Sequence, residues 1–177
     1  RKRPLHLLRM FTDVVERTRD VAEVRLVIIG DGPERPQLEK YVHTHGLTDR
    51  VDMVGRRTRD EIRGIFSDAD VFVAPANLES FGIAALEARC AGLPVVAKAR
   101  TGIREFVTHE REGLLADSDR DMVSQLTRVV VDDRLRARMS EHNRTVPSSV
   151  DWKDVVDRNV EAYRLAIDLR DRPSPDH

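Results

Sequence analysis

The 177-residue chain carries 30 basic and 31 acidic side chains, a formal net charge of −1 and a single cysteine. That length fits one domain with a sizeable core, and the balanced charge argues against a general nucleic-acid binder. Cys90 alone permits no internal disulfide and no thiol cluster for zinc, which favours a reducing compartment; no apolar run approaches the ~20 residues that span a bilayer, and RKRPLHLL lacks the apolar core of an export signal.

The chain opens in RKRP and enters a helical pattern over residues 5–17. A doubly wound fold normally places a strand before such a helix, so the sequence reads as a domain cut from a longer protein whose upstream part holds half of any active site. Apolar runs then alternate with amphipathic ones. VRLVII (24–29), VDMV (51–54), VFVAP (71–75) and LPVVA (93–97) have the composition of buried parallel strands, and helical spacing fills 35–45, 58–67 and 83–91. A fifth strand is expected at GLLA (113–116), then helices at 119–131, 134–143 and 152–169, and a disordered, proline-broken tail at 170–177. This alternation predicts an α/β, Rossmann-like, doubly wound parallel sheet flanked by helices, one domain over residues 1–169. Lysine occurs only at Lys2, Lys40, Lys98 and Lys153, with arginine supplying the other basic residues, the usage of a GC-rich bacterial genome.

IGDGPER (29–35) stands where a dinucleotide-binding turn would, between a predicted strand and a predicted helix. Gly30 and Gly32 fit its first two glycines, but Arg35 takes the place of the third, where bulk opposes close helix–strand packing. A tight turn with Pro33 at the first helical position is the simpler reading. His43 and His45, two apart, point to different sides of a helix and make no metal pair. Cys90, in the small-residue run EARCAG, is expected to pack against the sheet, and Trp152 to anchor the last helix.

ESFGIAALE (79–87) is more informative. It follows VFVAP, and in open α/β sheets ligands bind beyond the carboxyl ends of strands. With a helix starting near Gly82, the N–H groups of Phe81, Gly82 and Ile83 point out of its N-terminus, where dipole and unpaired donors favour a phosphate. An ionised carboxylate only accepts hydrogen bonds, so Glu79 and Glu87 suit the hydroxyls of two polyols flanking that phosphate, as in a nucleotide sugar. Alone, each glutamate reads as a cap or a solvated helix face; together, around Phe-Gly at a strand end, they argue for the ligand.

The ordered segments GDGPE, VGR, DADVFVAP, ESFGIAALEARCAGLPVVA, TGIREFV and EGLLA resemble, over nearly the whole chain, the C-terminal, donor-binding domain of retaining glycosyltransferases with the GT-B fold, the glycosyl transferases group 1 family. Most specific is the pair of glutamates with seven residues between them. The resemblance implies that Glu79 touches the donor sugar and is the catalytic residue, that the loop Ser80, Phe81, Gly82 and Ile83 meets sugar and diphosphate, and that Glu87 binds the ribose. It further implies Lys2 at the diphosphate and Val54, Gly55 and Arg56 around the nucleobase. Three places depart from the family pattern. The arginine usual before the diphosphate lysine falls outside this sequence, Ala76 stands for a serine, and Thr101-Gly102 for a Gly-Gly pair. Lys98 and Arg100, in AKART, are also unusual there and read as surface charges or as extra phosphate or acceptor contacts.

What the resemblance implies is donor binding in a retaining hexosyltransferase. The donor would be a GDP-, UDP- or ADP-linked sugar, and the acceptor a glycan, lipid or small molecule held by an N-terminal domain absent from this sequence. No metal and no nucleic acid are expected, and the expected location is the cytoplasm, either free or peripheral at the inner membrane face. The alternatives are a sugar-nucleotide epimerase or hydrolase of the same fold and a non-catalytic nucleotide-sensing module.

Overall fold

Short apolar runs separated by amphipathic ones fold here as parallel strands with helical crossovers. The structure, a computed structural model, describes residues 2–148 and residue 150. Its elements are α1 (Pro4–Thr18), β1 (Leu26–Ile29), α2 (Arg35–Thr44), β2 (Val51–Gly55), α3 (Arg59–Asp68), β3 (Phe72–Ala74), α4 (Ile83–Cys90), β4 (Val95–Lys98), β5 (Gly113–Ala116), α5 (Asp119–Val131) and α6 (Asp133–Thr145). A 3₁₀ turn at Gly102–Glu105, which the sequence reading does not anticipate, lies between β4 and β5. The helix expected at 152–169, with Trp152, and the tail at 170–177 lie outside the described residues. Contacts divide the chain into a unit ending at Pro147 and a second beginning at Ser148. In the second, the described contact is the Val150 N–H donated to Ser148 Oγ (3.2 Å).

All strand pairings are parallel: β1 with β2, and β3–β4–β5 with β4 central. Flanked on both sides, β4 is buried at every residue. β1 and β3 are mostly half-buried rather than buried as the composition predicts, whereas β5, which also pairs on one side only, is mostly buried. Local chemistry sets the element ends. Pro94 has no N–H to donate, and β4 begins after it. Pro36, not Pro33, occupies the first turn of α2, because the chain first turns through Pro33 and Glu34, with Arg35 N–H donating to Gly32 O (3.1 Å). Thr58 and Glu61 form a capping box on α3, and the side chains of Ser118 and Asp132 cap α5 and α6.

One helix serves both sheets. Leu8 and Phe11 of α1 pack with Leu38, Val42, Leu47 and Val51 beside β1 and β2. Its Met10 and Val14 pack with Val96, Leu114, Met122, Val129 and Met139 around β4 and β5. Among the described residues no helix is long and apolar enough to cross a membrane.

A buried carboxylate secures the start of β5. Glu112 accepts from the Thr108 N–H (2.8 Å) and from Arg111 Nε (2.7 Å), and its other neighbour is His142 Nε2 on α6 (3.0 Å). Asn143 donates to the carbonyls of Leu93 and Glu112, both at 2.9 Å, tying α6 to the approaches of β4 and β5. Burial pushes the Glu112 carboxyl up, but the Thr108 amide, Arg111 and His142 outweigh it and hold the group below its ordinary value of 4.5. A lowered carboxylate contributes stability that is present above its unfolded value and lost as pH falls through the folded one. Glu112→Gln should therefore lower the thermal midpoint near neutrality and flatten the acid limb. Melting curves from about pH 6 to about pH 3 check this; parallel acid limbs for variant and wild type would refute it.

Candidate active site

The loop from β3 into α4 is shaped by glycine. Gly82, in the left-handed region (φ 91°), holds the N-cap position of α4, three residues beyond Glu79. The 3₁₀ turn braces this loop from below. Gly102 N–H donates to Glu79 O (2.8 Å), and the Phe81 and Phe106 rings lie 5.5 Å apart. Any side chain on Gly102 would meet the Ser80 carbonyl oxygen at 1.9 Å. Thr101, where the resemblance expects a glycine, fits without conflict: its backbone is extended, and its hydroxyl donates to Lys98 O (2.8 Å).

Lys2 and Glu79, 77 residues apart, meet at Nζ–Oε2 2.6 Å, with the lysine side chain 76% exposed and the glutamate 17%. Ser80 and Ile83 are exposed beside them, and Phe81 is half-buried. Glu87, also exposed, stands four residues past Ile83 on α4 and so on the same face one turn on. Val54, Gly55 and Arg56 lie at the end of β2, in the two-stranded sheet rather than the sheet that carries the ion pair. There Arg35 donates to Met53 O (3.2 Å) and to Glu39 (2.8 Å), so its side chain lies along the strand end where a dinucleotide turn would be open.

Sequence reasoning missed the cluster beneath Lys2. Arg3, the N-cap of α1, holds a left-handed backbone (φ 58°, ψ 46°). Its guanidinium donates to both Asp119 oxygens (2.9 and 2.6 Å), to Pro75 O (3.2 Å) and to Asn77 Oδ1 (3.0 Å). Lys98 Nζ also meets Asp119 Oδ1 (2.6 Å), and its side chain is buried, which corrects the surface-charge reading. Hydrogen bonding from Arg3 holds the Asp119 carboxyl well below the usual range, against the opposing effect of burial and with further help from Lys98. The same pairing raises Arg3. A cavity of about 390 Å³ opens over this cluster, with Arg100 and Asp117 also on its wall. In the sequence, RKRP passes for a solvated charge run; the available signal was an aspartate starting a helix just past a strand end. Cys90 is exposed rather than packed on the sheet, because α4 buries Ala85, Ala88 and Arg89 instead. His45 stacks on Tyr41 at the end of α2 (3.8 Å).

The model of the family described as glycosyl transferases group 1 matches residues 1–146. A D-inositol 3-phosphate glycosyltransferase of Xylanimonas cellulosilytica is 32% identical over 154 residues, 84% of this chain and 37% of that protein. Among solved structures, the C-terminal domain of a glycosyl transferase group 1 family protein (LpcC) from Francisella tularensis superposes with a TM-score of 0.66 at 22% identity, over 77% of this chain and 74% of that one. Anabaena Alr3699/HepE in complex with UDP and glucose gives a TM-score of 0.65 at 22% identity, over 76% and 38%. These two likenesses establish the fold, a GT-B-type Rossmann-like domain. The chain spans 34 to 47% of the length of eight curated relatives, the Xylanimonas protein among them.

The braced loop makes a paired prediction. Gly102→Ala forces a backbone clash at Ser80 and should cost about 1–3 kcal/mol, with faster amide exchange at Ser80 and Phe81. Gly32→Ala, where an added Cβ meets nothing within 4 Å, should stay within about 0.5 kcal/mol of wild type. Chemical denaturation and hydrogen exchange measure both, and equal effects would remove the brace from the account.

Proposed function

The chain belongs to the glycosyl transferases group 1 family, and from that premise we propose that it is the donor-binding part of a retaining hexosyltransferase that uses a nucleotide sugar. The observation that carries this is the ion pair of Lys2 and Glu79 beside the glycine-capped start of α4. A cation and a carboxylate one hydrogen bond apart can meet a phosphoryl oxygen and a sugar hydroxyl of one ligand side by side. UDP and glucose in the Anabaena neighbour favour a UDP-linked donor over GDP or ADP.

In this reading the bond between the sugar's anomeric carbon and the diphosphate oxygen breaks as the acceptor hydroxyl oxygen attacks from the same face, and the hydroxyl proton passes to the departing phosphate oxygen. Negative charge grows on the leaving phosphate. The first-turn N–H groups of α4 and the Lys2 ammonium stabilise it without reorganising at the moment of reaction. Glu79 orients the sugar, Ser80, Phe81, Gly82 and Ile83 shape the contact with sugar and diphosphate, Glu87 holds the ribose, and Val54, Gly55 and Arg56 face the nucleobase. These charges meet the diphosphate without a metal. The acceptor, a glycan, lipid or small molecule, belongs to the rest of a longer protein, which the chain's share of its relatives' length supports. We place the enzyme in the cytoplasm or at the inner membrane face.

Two measurements test this. Glu87→Ala should weaken UDP and UDP-sugar together by about tenfold, whereas Glu79→Gln should leave UDP nearly unchanged and remove most of the gain from the sugar, since a hydrogen bond to a charged group is worth roughly 1.5–3 kcal/mol. Calorimetric titration of both ligands decides; no change in either variant would mean two solvated surface acids. Independently, UDP binding should survive a chelator. Loss on chelation with recovery on adding magnesium or manganese would show that the charge partner is a metal.

A further inference from the structure

Lys2 has little to hold it by itself. Its side chain is largely exposed, and an exposed ion pair is too weak to fix it alone. Its neighbour Arg3 is held firmly. Arg3 adopts a left-handed backbone, which a non-glycine residue keeps only where its surroundings impose it. The imposing contacts are the two-pronged pair with Asp119 and the bonds to Pro75 O and Asn77 Oδ1. Asp119 is fixed in turn by Lys98 at 2.6 Å and by its place at the start of α5. Arg3 thus bridges the start of α5 and the end of β3, the strand whose loop carries Glu79.

We propose that Arg3, Asp119 and Lys98 form a positioning clamp that fixes the backbone at Lys2, so that the Lys2 ammonium stands against Glu79 before a ligand arrives. The proposal rests on the donor-binding reading for its consequence, since a cation ordered in advance loses less freedom on binding a diphosphate. A planar guanidinium on a carboxylate fixes direction as well as charge, which neither an exposed lysine pair nor a glycine at position 3 would do. None of the three clamp residues needs to touch the ligand.

The test uses the 177-residue chain, calorimetric titration with UDP, and amino-detected nitrogen-15 NMR of the Lys2 side chain without ligand. Asp119→Asn should weaken UDP about tenfold, yet by less than about twofold when Lys2 is already alanine, because residues acting through one group are not additive. Arg3→Gly suits the left-handed backbone and removes the guanidinium; it should give the same loss and carries the test if Asp119→Asn does not fold. Arg3→Lys, without the two-pronged geometry, should recover only part. In each clamp variant the Lys2 ammonium signal should move to the position of a free lysine. Equal losses with and without Lys2, or wild-type UDP affinity in Arg3→Gly, would overturn the clamp. Should the wild-type chain bind no nucleoside diphosphate, the donor-binding reading fails, and the unliganded lysine signal then decides the clamp alone.

Discussion

The structure depends on a helix that must bury two faces at once. Leu8 and Phe11 of α1 go to the core beside β1 and β2, while Met10 and Val14 go to the core around β4 and β5. These pairs sit three and four residues apart, the helical neighbours that share a face. Sliding or rotating α1 to suit one core would expose apolar surface in the other, so the helix axis is fixed from both sides. Its first residues are consequently delivered to a set place, at the end of β3 and the start of α5. The Lys2–Glu79 contact is downstream of that packing: two residues 77 apart meet because the helix behind one of them has nowhere else to lie.

The second constraint is backbone against backbone. The loop that carries Glu79 rests on the 3₁₀ turn through the Gly102 N–H, and no side chain fits between Gly102 and the Ser80 carbonyl. Gly82 then turns the chain into α4 with no side chain of its own in the way. Such contacts are stiffer than side-chain contacts because a peptide group cannot change rotamer. The side chains of Lys2 and Glu87 are by contrast exposed. Donors carried on such a backbone are set in advance and need no reorganisation when charge develops against them.

Much of this was legible in the sequence, because apolar runs and turn residues are local signals. The strands, the crossover helices, the start of α4 near Gly82 and the family resemblance all came from segments shorter than about twenty residues. What failed was settled by partners far along the chain. Arg3 and Asp119 are 116 residues apart, and nothing local to RKRP distinguishes a clamp from a solvated charge run. Arg89 turns inward, where its guanidinium reaches the Pro147 carbonyl (3.3 Å), and Cys90 is thereby turned outward; a residue-type rule assigns the two the other way round. Pro33 and Pro36 both suit a helix start, and only the turn closed onto Gly32 chooses between them. The half-burial of β1 and β3 was hidden for a similar reason, since composition reports that a strand is apolar and not what packs over its faces.

Why an arginine stands at position 3 follows from magnitudes. A left-handed backbone costs a non-glycine residue roughly 1–3 kcal/mol, which glycine would avoid. Hydrogen bonds with a charged partner contribute roughly 1.5–3 kcal/mol each, and the Arg3 guanidinium makes two to Asp119 alongside those to Pro75 and Asn77. The side chain therefore offsets the strain of its own backbone. Lys98 meets the opposite problem. Its ammonium is buried, and burial of an unpaired cation is prohibitive, so Asp119 must serve both cations. One carboxylate between Arg3 and Lys98 leaves positive charge in excess; counting Arg100 and Asp117 on the same wall, three cations face two carboxylates. The surplus lies at the carboxyl edge of the sheet, under a lysine already paired with Glu79, where the field favours an anion and repels a second cation.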